Sequence, residues 1–210
     1  MKDLLDFRYG VIEDIKCFSS KQDSPRRKYC KILIRFEELG VTLQSIGQFY
    51  HHLYDLKGKI VLCLVNLPPR NMFGQLSEVL VLGVPHKAGG IIELDEQEAQ
   101  ATYLRPIAHF NSHMPDEKKD ETPYENWANS NLLVGLVTKA EGNLIKVQVG
   151  SEKECDVVVT DDAGGLVGQQ IVVGVDDLNS QIGWLPSMSN GAPLFVQPSD
   201  ECNYVGETVY

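Results

Sequence analysis

The sequence predicts an all-β chain, two small Greek-key barrels in tandem with short helices. Three observations predict it. Apolar residues come in short runs with strand-like alternation or continuity, not at helical spacing. A tract of weak pattern, broken by Pro106, Pro115 and Pro123, separates two strand-rich halves. Short stretches of the second half echo the first, the mark of an internal repeat. At 210 residues the chain has room for two domains of about 100 residues each.

The elements follow in order. Residues 10–18 (GVIEDIKCF) form a strand that opens on a glycine. Residues 28–37 alternate: Cys30, Ile32, Ile34 and Phe36 share one face, while Tyr29, Lys31, Leu33 and Arg35 share the other. Residues 41–45 form a third strand. Residues 49–56 suit a short helix, with Gly58 just past its end. Residues 59–67 form a continuous apolar strand stopped by Pro68-Pro69, and residues 78–82 and 90–94 supply two more. Three strands, a short helix, then further strands is the order of an OB-type barrel. From 95 to 130 the pattern decays, so residues 99–130 read as a linker, with a short helix near 96–101. The charge run at 116–121 reads as solvated surface.

Strand patterning resumes at residues 132–139, 144–149, 155–160 and 170–175, with a tight hairpin at Glu141-Gly142-Asn143. Tyr9-Gly10-Val11-Ile12 is matched by Val134-Gly135-Leu136-Val137. Residues 56–61 are matched by 166–172 with one residue inserted, and residues 77–82 by 189–195. The expected division is a first barrel at 1–98, the linker at 99–130, and a divergent acidic OB-like domain at 131–210.

Charge divides the same way. All six arginines lie in residues 1–105, which carry 14 Lys+Arg against 13 Asp+Glu. Residues 106–210 carry 5 lysines and 16 acids. The planar guanidinium fork suits phosphate, so a polyanion should meet the first half and be repelled by the second. No apolar run approaches the roughly 20 residues of a membrane span, and the N-terminus has no apolar h-region, so neither membrane insertion nor a signal peptide is expected. Five cysteines without a CxxC pair point to a reducing cytoplasm and no structural zinc. The catalytic signatures HExxH, GxSxG, the P-loop and GxGxxG are missing. Adjacent His51-His52 on a helix would point about 100° apart and chelate poorly. The expectation is a non-enzyme without metal or cofactor.

One stretch carries a family resemblance. Residues 53–70 (LYDLKGKIVLCLVNLPPR), followed by Ser77-Glu78-Val79-Leu80-Val81-Leu82-Gly83, resemble the tRNA-binding-domain family. The likeness is to its CsaA-like branch, where Val-Asn-hydrophobic-Pro-Pro precedes Ser-Glu-hydrophobic-Leu-Val-Leu-Gly. Residues 6–12 are similar to that family's opening, with Tyr9 where valine is usual. The match covers roughly residues 3–95. Such proteins are about half this length and form homodimers. The second half lacks the Asn-hydrophobic-Pro-Pro loop and is expected to stand in for the second subunit, giving a tandem pseudo-dimer or a homodimer.

The resemblance implies a non-catalytic protein that binds tRNA or other structured RNA, with an aminoacyl-tRNA synthetase as a further partner. OB barrels bind along strands two and three. There the sequence offers Arg26, Arg27 and Lys28 in the loop entering strand two, Lys31 and Arg35 on its outer face, Tyr29 as a stacking ring, and Arg70 after the prolines. Asn66, Ser77 and Glu78 match family positions at the mouth. The bland readings stand beside these: cations that keep an edge soluble, Tyr29 as packing, and Asn66 and Ser77 as turn chemistry. The alternative function is a CsaA-like chaperone for unfolded or export-bound polypeptides, with Leu33, Met72 and Phe73 as adaptable apolar contacts. Trp127 and Trp184 read as packing or interface residues.

Overall fold

Strand β1 (Phe7–Ser19) is the spine of the first barrel, because both of its edges are paired. In the computed structural model, residues 4–19, 28–47, 56–85, 101–107, 116–160, 163–176, 181–188, 193–199 and 202–210 are described. The first half continues with β2 (Lys28–Phe36), β3 (Val41–Gly47), β4 (Ile60–Leu64), β5 (Arg70–Met72), β6 (Gln75–Ser77), β7 (Leu80–Val81) and β8 (Gly83–Pro85). Then come β9 (Ala101–Pro106), helix α1 (Tyr124–Ala128), β10 (Leu132–Glu141), β11 (Leu144–Gln148), β12 (Glu154–Val158), β13 (Gln170–Val175), β14 (Gly183–Trp184) and β15 (Val196–Pro198).

Two five-stranded antiparallel sheets result, in the orders β3-β2-β1-β4-β7 and β12-β11-β10-β13-β14. Each curls into a barrel, and the fold is all-β with tandem OB-like barrels and little helix. The two orders are the same, and so are the details. Both spines shift register at a bulge, between Ile12 and Asp14 in β1 and between Val137 and Lys139 in β10. Before the bulge sit Gly10 and Gly135, where a Cβ would lie 2.3 Å from Ile34 Cγ2 and from Val147 Cγ1 respectively. Only glycine lets the strand press so close to its neighbour. Gly58 and Gly168 are matched turns in the left-handed region (φ 79° and 85°). Their N–H groups donate to Ile12 O and Val137 O. The proposed match of residues 77–82 to 189–195 is corrected: β14, at 183–184, takes the place of β7, pairing with β13 as β7 pairs with β4.

Burial explains the sequence patterns. Cys30, Ile32, Ile34 and Phe36 of β2 fill the first barrel, as the alternation predicts. The continuous apolar run of β4 has two buried faces: Val61 and Cys63 point into the barrel, while Leu62 and Leu64 join a separate core. That core lies between the barrels. It gathers Phe7 and Tyr9 of β1, Leu132 and Val134 of β10, Val172 of β13, and both tryptophans, Trp127 and Trp184. A third core fills the second barrel. Equivalent strands therefore face each other across the middle of the molecule. The C-terminal tail ties the halves: Gly83 and Tyr210 exchange both backbone hydrogen bonds, and Val209 N–H donates to Leu132 O.

The stretch read as a linker holds structure. Strand β9 pairs with β8 on one side and β15 on the other. Residues 116–122 lie along the first barrel as a strap. The side chains of the charge run are mostly exposed, as expected of a solvated surface, but its backbone is clamped. The helix expected at 49–56 lies outside the described residues except for Leu56. Residues 96–100 and the strand expected at 90–94 lie outside them altogether, and Ala101 begins a strand, not a helix end. No helix among the described residues is long and apolar enough to cross a membrane.

Candidate binding site at the mouth of the first barrel

The site is built around an insertion. Between β4 and β7 the chain makes a corner at Pro68-Pro69 and then a small separate hairpin, β5–β6. Its turn residues Phe73 and Gly74 both have positive φ (55° and 78°), the conformation of a tight hairpin turn. Glycine is at home there, but an aromatic residue held so is strained, and such strain clusters at binding sites. Asn71 Oδ1 accepts the Gly74 N–H at 3.0 Å and braces the turn.

Phe73 is 39% exposed. Its ring lies 4.2 Å from that of Tyr29, centroid to centroid, and 6.5 Å from Phe18 in an edge-on arrangement. Tyr29, by contrast, is buried. It is the floor under Phe73 and not itself an open stacking surface.

Beside the hairpin is a cleft of about 210 Å³. Ile46 of β3, Leu67, Pro68, Met72, Val79 and Leu80 form its apolar walls. Arg70, Ser77, Glu78 and Tyr124 supply its polar groups. The Arg70 guanidinium stacks on the Tyr124 ring, 3.7 Å from the centroid.

Tyr124 reaches the cleft because the strap is anchored upstream. Asp6 and Arg8 are fully buried and doubly bonded to each other, at 3.0 and 3.2 Å. Arg8 also donates to Glu117 O, and Asp6 Oδ2 accepts the Lys119 N–H at 2.7 Å. A buried ion pair is tolerable only when its remaining hydrogen-bonding capacity is met, and the strap backbone meets it. Asn66 adds a second anchor. Its Nδ2 donates to Leu4 O at 2.9 Å and to Asp120 O at 2.8 Å, and its Oδ1 accepts the Asp6 N–H at 3.0 Å.

These contacts revise several sequence expectations. Asn66 is not a ligand contact, since it is buried and every polar atom of its amide is bonded within the chain. Ser77 and Glu78 line the cleft, but they also close the barrel. Ser77 Oγ accepts the Ile46 N–H, and Glu78 Oε2 accepts the Gln44 N–H, both at 3.1 Å. Arg35 is committed to Glu13 at 2.9 Å and Glu37 at 2.8 Å. Glu37 first, then Glu13, holds its pKa above the ordinary value. Lys31 is half-buried opposite Lys16. Leu33 sits mid-strand opposite Asp14 and Gln44 and does not line the cleft. Arg26 and Arg27 lie outside the described residues, and Lys28 is placed only as the first residue of β2.

The four described arginines, Arg8, Arg35, Arg70 and Arg105, therefore do not converge as one face. Arg8 is internal. Arg105 on β9 is bound by Gln197, whose amide oxygen, oriented to satisfy both neighbours, accepts from it at 2.8 and 3.2 Å. Among the described arginines only Arg70 faces the cleft. What the structure does bring together is one mouth from two separate expectations. Phe73, assigned to peptide, rests on Tyr29, assigned to RNA, and Met72 shares the cleft with Arg70. Tyr124 was missed, because nothing in the local pattern of a linker marks an aromatic ring as part of a distant site.

No family model and no curated protein matches the chain. Solved structures similar to it include the CsaA chaperone of Bacillus anthracis str. Ames, 30% identical, covering 55% of this chain and 89% of its own, with a TM-score of 0.39. The CsaA chaperone protein from Picrophilus torridus is 23% identical over 54% of this chain and 90% of its own, also at 0.39. The C-terminal domain of Plasmodium vivax p43 is 13% identical, covers 100% of this chain and 99% of its own, and scores 0.45. With TM-scores under 0.5, these likenesses carry no weight for function.

Proposed function

We propose that this chain is a non-catalytic RNA-binding protein that holds tRNA or other structured RNA at the mouth of its first barrel, the second half being a degenerate, acidic copy of the same domain. One observation carries the reading. Phe73 is held exposed in a strained hairpin turn, its ring tilted by 42° over that of Tyr29, and Tyr29 follows Arg26, Arg27 and Lys28 in the sequence. An aromatic platform next in sequence to a basic run is what base stacking plus phosphate tracking requires. The Arg70–Tyr124 stack extends the same chemistry along the mouth. The acidic second barrel orients the polyanion toward the first.

A second reading, capture of unfolded polypeptide, is favoured by the largely apolar cleft walls and by exposed Leu76 on the same hairpin. Filter binding of bulk tRNA at about 50 and about 200 mM salt separates the two. With some five cationic contacts, RNA affinity should fall on the order of a hundredfold and weaken further in Arg26→Ala/Arg27→Ala. Binding that is flat with salt, or absent at low salt, rejects the RNA reading.

A further inference from the structure

We infer that the cleft between β3, the β5–β6 hairpin and Tyr124 is a subsite for one unstacked purine base, guanine ahead of adenine. The inference rests on the RNA reading above and specifies what its mouth recognises. At about 210 Å³ the cleft is smaller than the pockets that enclose drug-sized ligands. It has room for one ring system or one side chain. Its walls decide between these. Arg70 and Glu78 both line it, and an apolar side chain would desolvate them while offering neither a partner, a heavy penalty for charged groups. A base offers apolar faces to Ile46, Leu67 and Met72 and hydrogen-bonding edges to the charges.

The polar geometry favours a purine. Gln44 N–H fixes the Glu78 carboxylate through Oε2, and among the described residues Oε1 has no hydrogen-bond partner. Guanine presents two adjacent donors, N1–H and N2–H, to such a carboxylate, and its O6 and N7 are the usual acceptors for arginine. Adenine offers one amino donor and N7, and pyrimidines offer less surface to stack. Arg70 already rests over the Tyr124 ring, so its guanidinium is positioned before a ligand arrives and less freedom is lost on binding. These edges are reached only when the base is splayed out of a helix. Phe73, next in the chain to Met72, takes the neighbouring base.

The test uses the full chain and fluorescently labelled RNA pentamers UUXUU, with X as guanine, inosine, adenine or uracil, measured by anisotropy beside tRNA binding at two salt concentrations. The expected result is about tenfold tighter binding of X = guanine than X = uracil, with inosine between them because it lacks the N2 amino group. Glu78→Gln retains an acceptor for Gln44 N–H, so the barrel still closes. It should bring the guanine-to-uracil affinity ratio close to one, and Tyr124→Ala should lower that ratio as well. Salt-dependent tRNA binding with equal affinity for all four pentamers overturns the subsite and leaves the RNA reading standing. Loss of tRNA binding at every salt, together with salt-insensitive binding of an apolar peptide that Met72→Ala weakens, overturns both.

Discussion

The two barrels share strand order, bulge, glycines and turn geometry, yet among the described residues only the first carries the β5–β6 hairpin of the candidate site. The difference lies in how each barrel is closed. In the first, residues 65–79 intervene between β4 and β7, long enough to carry the β5–β6 hairpin, and the Ser77 and Glu78 side chains add bonds to β3 beside the backbone bond from Glu78 N–H to Gln44 O at 2.7 Å. In the second, only residues 176–182 separate β13 from β14, and among the described residues the closing bond is a backbone one, Asp156 N–H to Gln181 O at 2.7 Å. The barrel is a scaffold, and the candidate site is an insertion on it. The cores differ too: Leu64 opposite Leu80 in the first barrel becomes Gly174 opposite Trp184 in the second. A Cβ on Gly174 would sit 2.2 Å from the indole.

The largest break in this comparison comes from Arg8, which the equivalent position of the second barrel fills with Leu133. Arg8→Ala leaves Asp6 buried and unpaired and should cost about 3–5 kcal/mol, measured by urea denaturation, and should release the strap that delivers Tyr124. Next are the matched glycines. Gly10→Ala and Gly135→Ala each place a methyl in space already filled and should cost about 1–3 kcal/mol each, with similar values. A large inequality would show that the repeat in topology is not a repeat in packing. Phe73→Ala separates site from scaffold. Its exposure predicts a stability change within about 1 kcal/mol, whereas tRNA affinity should drop about tenfold, the contribution of one stacked base.

The smallest effect concerns the core between the barrels. Among the described residues the buried Tyr9 hydroxyl has no hydrogen-bond partner, and burial pushes its pKa well above the ordinary 10.0. The folded state therefore keeps this proton when the unfolded chain loses it, and stability is lost as pH rises past 10. Tyr9→Phe, which matches the apolar Val134 of the second barrel, should be neutral or stabilise by about 1 kcal/mol and reduce the alkaline loss in thermal melts.

Local pattern made much of the fold legible. The alternation of residues 28–37 named the buried face of β2 correctly, because a half-buried strand writes its environment into every second residue. The paired glycines announced the repeat, because close strand contact and left-handed turns admit little else. The site was legible only in pieces. Arg35 and Arg70 look alike in the sequence, but one is neutralised across the sheet and the other is stacked in the cleft. Asn66 stood beside the right loop but faces inward.

Composition and periodicity alone therefore determined an all-β chain with a repeated spine and a charge division between its halves, since these depend on neighbours in sequence. Which cations remain available, and that Tyr124 completes the mouth, were decided by tertiary structure. A buried Asp6–Arg8 pair sets the path of residues more than a hundred positions away, and no local pattern records a contact across that distance.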